Sequence, residues 1–232
     1  IILPCWNSID YIERCITSIK KQTFKNFEVL IIDNSSKDGT LKKINQIKDK
    51  RFKVFSINNH GILAKSRNLG IKKSISDWIV FLDSDDWWTE NKLQYCFDKI
   101  NNNVDFIYHD LEIKSNKHSF LKRKKNISRK LKKPILIDLI INGNCINNSS
   151  VVVRKKFLEQ IDGIDEDKNL LAAEDYNAWL RIANLTENFL YLPKILGYYF
   201  KNELGLSNKN MSYSSKRATS EFSLLLNEKQ KI

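Results

Sequence analysis

Apolar and polar positions fall into two rhythms over the first 110 residues. Stretches rich in apolar side chains occur at 1–4, 27–32, 52–57 and 78–82. Short, largely apolar runs of this kind suit strands covered on both faces. Between them, apolar residues recur at helical spacing: Ile9, Ile12, Ile16 and Ile19, then Leu41, Ile44 and Ile47, then Leu63, Leu69 and Ile71. Asn7 and Ser8 are placed to cap the first of these helices, residues 35–40 carry turn and cap chemistry, and Gly61 opens the third. Strands alternating with helices predict βαβ units and a mainly parallel sheet.

The rhythm continues less regularly. Leu93 and Phe97 mark a helix and 104–108 a strand. Residues 134–141 read as a short helix with Pro134 in its first turn. Residues 150–153 read as a strand lying beside the one at 78–82, and 157–161 as a helical turn ending at Gly163. Residues 176–185 form an amphipathic helix with Trp179, Leu180 and Ile182 inward. Residues 189–200 alternate poorly and fit one or two strands. Leu224 to Leu226 fall in a polar C-terminal helix. No internal repeat is present.

The chain has 232 residues, enough for one sizeable α/β core or one domain with an appendage. A hydrophobic content of 42%, with seven Gly and three Pro, excludes a low-complexity chain. No apolar run approaches the ~18–20 residues of a membrane span. There is no signal peptide. The chain begins inside an apparent strand without Met, so residues are expected to precede Ile1. Cys5, Cys15, Cys96 and Cys145 are scattered without metal or redox spacing, which points to a reducing cytosol. Cys15 and Cys96 read as buried thiols.

The net charge of +12 points to an anionic partner. Half of residues 114–133 are Lys or Arg. Such a run is a solvated loop, a contact with an anionic membrane worth about 1 kcal/mol per basic residue, or a nucleic-acid site. Phe120, Ile127 and Leu131 would give it apolar grip on a bilayer, which makes membrane contact the functional reading.

The densest chemistry is the stretch Phe81-Leu82-Asp83-Ser84-Asp85-Asp86-Trp87-Trp88. A buried strand here runs into three carboxylates, at the sheet end where open α/β folds bind ligands. The carboxylates either cap the following helix or hold a hard divalent cation such as Mg2+ or Mn2+. Three other positions carry similar alternatives. Asp33, at the end of a strand, either starts a helix or accepts from a base or ribose. Arg67 is a surface or structural charge, or a fork for an anion. Glu174 and Asp175 are helix-dipole partners or an acid–base pair. The dinucleotide fingerprint Gly-x-Gly-x-x-Gly is absent, which counts against a nicotinamide or flavin dehydrogenase.

This Asp-x-Asp context resembles the inverting family 2 glycosyltransferases. So do Ile1-Ile2-Leu3-Pro4-Cys5-Trp6-Asn7, Ile31-Ile32-Asp33-Asn34-Ser35-Ser36-Lys37-Asp38-Gly39-Thr40, Ala64-Lys65-Ser66-Arg67-Asn68-Leu69-Gly70-Ile71 and Ala173-Glu174-Asp175-Tyr176. The blocks occur in the family's order and at its spacings. They cover about the first 110 residues and 145–183.

The resemblance implies an α/β fold of the GT-A type. A nucleotide-sugar-binding half would span 1–110, an acceptor-binding half 111–211 with the basic insertion 114–133, and a helical extension 212–232. It also implies site roles. Pro4, Trp6 and Asp33 would surround the base, commonly uracil. Arg67 would lie near base and phosphates, and Asp83 would face the ribose, with Ser84 beside it. Asp85 would ligate Mn2+ or Mg2+, with Asp83 acting through water and Asp86 as the alternative ligand. Asp175 would deprotonate the acceptor, with Glu174 as the alternative. Trp87 and Trp88 would pack or form an acceptor platform. The family's downstream His or Arg segment corresponds to 198–207, which offers Lys201 and Ser207 but no His; Lys201 could serve as a point charge on a phosphate.

The implied reaction moves a sugar from a nucleoside-diphosphate donor, UDP favoured, to a hydroxyl of a glycan or lipid-linked acceptor. Bacterial surface polysaccharide or lipooligosaccharide is the implied product class. The implied location is the cytoplasm, including the inner face of its membrane. Two alternatives remain from the sequence: a basic nucleic-acid-binding protein, which leaves the carboxylates without a role, and a catalytically inactive nucleotide-binding homologue.

Overall fold

The computed structural model describes residues 1–115, 125–126, 128–201 and 212–225. β1 (Ile2–Cys5) leads through a loop to α1 (Ile12–Lys20), then β2 (Val29–Asp33), α2 (Thr40–Ile44), β3 (Phe52–Ser56) and α3 (Leu63–Lys73). β1 and β3 flank β2, and both pairs are parallel. The expected βαβ units are therefore present, with the acidic end of β2, Asp33, opposite Cys5 of β1.

The second half is mixed rather than parallel. β4 (Trp78–Val80) and the short β5 (Trp87–Trp88) flank the acidic turn, and α4 (Lys92–Phe97) follows. Next come β6 (Phe106–Lys114), β7 (Lys125–Asn126), α5 (Ile135–Asn142), β8 (Val152–Arg154), α6 (Lys155–Gln160), α7 (Glu174–Ala183), β9 (Phe189–Phe200) and α8 (Ser212–Thr219). The strands lie in the order β4, β8, β6, β9, β5, with β7 on β6. Among the described residues of this sheet, only β6 and β9 pair in parallel. β8 lies beside β4, as the apolar run at 150–153 predicts. A parallel bridge between Ile2 and Phe81 joins the two sheets.

Period-two alternation splits the interior into two clusters. Ile2 and Phe81 face one side, with Ile79, Phe106, Val153 and Trp179. Leu3, Val80 and Leu82 face the other, with Ile12, Ile16, Ile19 and Leu93. The Trp179 ring packs against Phe106 at 5.0 Å and Phe81 at 6.0 Å between centroids. Phe81 and Phe106 are fully buried, and each contributes about 1.5–3 kcal/mol by leaving water. Trp179, Leu180 and Ile182 are all buried, so α7 docks by the face its spacing predicts. Gly70 lets α3 sit on β1: a Cβ there would meet Ile2 Cγ2 at 2.6 Å.

Several local expectations shift. α1 begins at Ile12, not near Ile9. The Ser8 carbonyl accepts the amides of Tyr11 and Ile12, but its hydroxyl shares a 2.8 Å hydrogen bond with Ser84 instead of capping the helix. Pro134 is the residue before α5 rather than part of its first turn. The strand expected at 104–108 runs on to Lys114 because β9 pairs along its whole length. The register of that pair shifts on both sides of Asp110, past Pro193 and Lys194 before it and past Leu196 after it. Proline cannot donate to a ladder, so the strand bulges there, which is why 189–200 alternates poorly. The C-terminal helix ends at Thr219 and tightens into a 3-10 turn over Ser220–Leu225, with Leu224 exposed.

All four cysteines are free, and Cys15 and Cys96 are buried. Among the described residues no helix is long and apolar enough to cross a membrane. Half of the basic insertion, residues 116–124 and 127, lies outside the described residues and takes Phe120 and Ile127 with it; Ser207 and Leu226 lie outside them too.

Candidate active site

A cleft of about 700 Å3 opens at the C-terminal ends of β1 and β2 and beside the acidic turn that follows β4. Leaving the sheet there frees backbone and side chains to face a ligand. Ile2 O accepts the Leu82 amide, fixing the last position before the acidic turn. Across the turn the Asp86 amide donates to Asp83 O at 3.0 Å. The Asp83 amide bonds the Ser149 hydroxyl at 3.1 Å.

Arg67 is the hub. It lies on α3, exposes 3% of its side chain, and forks between two carboxylates. Nη2 donates to Asp83 Oδ1 at 2.9 Å and Nη1 to Glu174 Oε1 at 2.7 Å. Burial alone would lower its pKa, but Asp83, Glu174 and Asp175 together outweigh that and hold the guanidinium charged. Asn148 Nδ2 also donates to Asp83 Oδ1, at 3.1 Å.

The three acidic-turn residues have different surroundings. Asp83 and Asp85 line the cleft. Burial and the Asp83 charge push the Asp85 carboxyl up to about 6, against the Arg14 guanidinium. Asp86 faces inward, is 1% exposed, and accepts the Phe200 amide at 2.8 Å. Burial, followed by the charges of Asp85 and Asp83, raises it well above the usual carboxylate range. The all-oxygen donor set at the cleft suits a hard divalent cation, which would relieve this repulsion. Asp83 and Asp85 could supply the one or two carboxylates that Mg2+ or Mn2+ ordinarily takes from protein. Among the described residues, no three His, Cys, Asp or Glu side chains are grouped to hold an ion unaided.

Asp175 stands in the first turn of α7, half-buried and with surface on the cleft. Its Oδ1 accepts the Tyr176 amide at 2.7 Å. Burial and the adjacent Glu174 push Asp175 up to about 7, against Arg67. A carboxylate held near neutrality is suited to accepting a proton.

Pro4, Trp6 and Ser84 also line the cleft, and Trp6 is 62% exposed. Asp33 does not line it. Asp33 is fully buried, with Oδ2 on the Ser36 amide at 3.1 Å and Oδ1 facing the Cys5 thiol at 3.7 Å. Its neighbour Asn34 reaches the cleft instead. Lys201 is exposed and outside the lining, one residue beyond Phe200, which belongs to it. Trp88 packs inward and donates Nε1 to Ser149 O at 2.8 Å, while Trp87 stacks on Tyr198. The sequence reading missed Ser8, Asn34, Asn59, Ser66 and Arg14. Residues 144–148 form another part of the lining.

Residues 1–162 match the family model described as glycosyl transferase family 2. The chain belongs to that family. Escherichia coli WfgD, named a UDP-Glc:alpha-D-GlcNAc-diphosphoundecaprenol beta-1,3-glucosyltransferase, is 37% identical over 117 residues, covering 50% of this chain and 46% of WfgD. The chain thus matches less than half the length of that relative. An uncharacterized Haemophilus influenzae glycosyltransferase is 29% identical over 187 residues, covering 78% of this chain and 60% of its own. The fold is similar to Staphylococcus aureus TarS 1-349 in complex with UDP-GlcNAc, with a TM-score of 0.77, 22% identity, and coverage of 99% of this chain and 68% of TarS. The architecture is that of GT-A glycosyltransferases, as the family 2 resemblance implies.

Proposed function

We propose that this chain is a metal-dependent inverting glycosyltransferase that takes its sugar from a UDP-sugar. The observation that carries the reading is the Arg67 hub: one guanidinium ties Asp83, beside the candidate cation ligand Asp85, to Glu174, beside the candidate base Asp175. Donor and acceptor chemistry would thus share one rigid seat. The UDP-sugar named for WfgD and the UDP-GlcNAc bound to TarS support the choice of donor. WfgD's diphosphoundecaprenol substrate supports a lipid-linked glycan as acceptor, and with it contact with the cytoplasmic face of a membrane through 114–133.

Asp85 and Asp83 would hold Mn2+ or Mg2+; Asp86 is committed to Phe200. When bound, the cation supplies positive charge to the leaving diphosphate. Asp175 takes the proton of the acceptor hydroxyl as that oxygen bonds the anomeric carbon. The diphosphate departs from the opposite face, inverting the anomeric centre. Glu174 holds Arg67 and is the positioning partner rather than the base. Trp6 and Asn34 stand on the nucleotide side of the cleft. Asp33 acts on that side by fixing the turn at Ser36.

The test is UDP release from UDP-glucose and UDP-N-acetylglucosamine, with water as a slow acceptor. Release is expected to need Mn2+, to stop with EDTA, and to rise with pH through about 7 as Asp175 ionises. A rate that is indifferent to EDTA would contradict the cation, and a rate flat from pH 5.5 to 8.5 would contradict the base.

A further inference from the structure

We infer that Arg14 is a positioning residue for the cation site, acting through the backbone of Asp85. The inference rests on the reading that a divalent cation sits at Asp85. Arg14 lies on α1, far in sequence from the acidic turn, and does not line the cleft. Its Nη2 donates to the Asp85 carbonyl at 2.9 Å. Its guanidinium carbon lies 3.7 Å from the Trp87 ring centroid and 4.8 Å from that of Phe200, distances at which a cation is attracted to an aromatic face.

The two rings are not independent of the turn. Trp87 directly follows Asp86 and stacks on Tyr198, its partner in the β5–β9 pair, at 4.9 Å. The Phe200 amide holds Asp86 Oδ1 at 2.8 Å, and the Phe200 ring meets Tyr11 of the same loop–helix segment at 5.2 Å. Arg14 therefore fills a slot whose walls are the residue after the turn and the strand residue that anchors the turn. Its hydrogen bond fixes the back of the Asp85 peptide and leaves the carboxylate to face the cleft. A planar fork suits this slot, because the same group must sit over the rings and donate to the Asp85 carbonyl.

Geometry and charge predict opposite effects. Were Arg14 only a nearby positive charge, removing it would strengthen cation binding, since Asp85 and Asp86 would lose a competitor. If Arg14 instead sets the aim of Asp85, removing it weakens binding even though the site becomes more negative. Lysine separates the cases further: it keeps the charge and loses the fork.

The experiment titrates Mn2+ alone into the intact chain and into Arg14→Met and Arg14→Lys, with free Mn2+ read by electron paramagnetic resonance. Near-ultraviolet circular dichroism follows the Trp environment. The expected result is a Kd raised about tenfold or more in both variants, the usual cost of losing support behind a ligand, with folding retained. If Arg14→Met fails to fold, Arg14→Lys carries the test, because a charge-only role leaves its Kd unchanged. Unchanged or tighter Mn2+ binding in the folded variants overturns the positioning role alone. Absence of Mn2+ binding by the unaltered chain overturns the cation reading and this inference with it.

Discussion

Asp175→Asn is expected to lower kcat by about 10^2- to 10^4-fold, the contribution of a positioned base, while Mn2+-dependent binding of UDP persists. Asparagine keeps the shape and the contact with the Tyr176 amide but cannot take a proton. The same substitution should stabilise the apo protein, and the sign follows from linkage. Burial and Glu174 raise the folded-state pKa of Asp175 to about 7, so the fold favours its protonated form. That preference acts fully below the ordinary carboxylate pKa and is lost as pH rises through about 7. At pH 8 the ionised Asp175 therefore opposes folding, by on the order of 1–4 kcal/mol. Urea melts should show Asp175→Asn more stable than the unaltered chain at pH 8 and nearly equal to it at pH 4. Undiminished turnover in Asp175→Asn would move the base to Glu174.

Arg67→Met is expected to cost about 3–5 kcal/mol, the penalty for leaving buried partners of an ion pair uncompensated. Methionine fills part of the space, but Asp83, Glu174 and Asp175 then face one another without a cation. The loss should be largest at pH 8 and shrink toward pH 5 as Asp175, pushed up to about 7 by burial and Glu174, takes up its proton. Arg67→Lys is expected to recover only part of it, since one ammonium cannot fork to Asp83 and Glu174 at the observed 2.9 and 2.7 Å. Unfolding in urea at the two pH values measures both effects. A loss below about 1 kcal/mol, equal at both, would mean that Arg67 behaves as an exposed ion pair does.

The parts of the fold legible in the sequence were those that burial writes into composition. Strands covered on both faces leave apolar runs, and the runs at 1–4, 27–32 and 78–82 became β1, β2 and the strand feeding the acidic turn. The inward face of α7 was legible because a helix against a core must repeat its apolar residues at helical spacing. Strand direction was not, because an apolar run reads the same in a parallel or an antiparallel pair. The second sheet therefore came out mixed.

The site was legible as residue types and illegible as orientations. Asp85 and Asp86 are the same residue one position apart, and only the turn sends one to the cleft and the other to Phe200. Ser8 reads as a cap because nothing local reveals Ser84, 76 positions on. Arg14 left no signal at all: its partners, Asp85, Trp87 and Phe200, lie in segments brought to α1 only by the completed fold. Arg67 was legible as a functional arginine, but nothing local showed that it would lie buried between Asp83 and Glu174.

In the proposed mechanism the acidic turn holds a cation for a nucleotide. Calorimetric titration of UDP, GDP and CMP, with and without Mn2+, into the unaltered chain and Asp85→Ala tests it most directly. UDP is expected to bind only with Mn2+, and Asp85→Ala to abolish the binding. Mn2+-independent binding, or equal binding by Asp85→Ala, would contradict it.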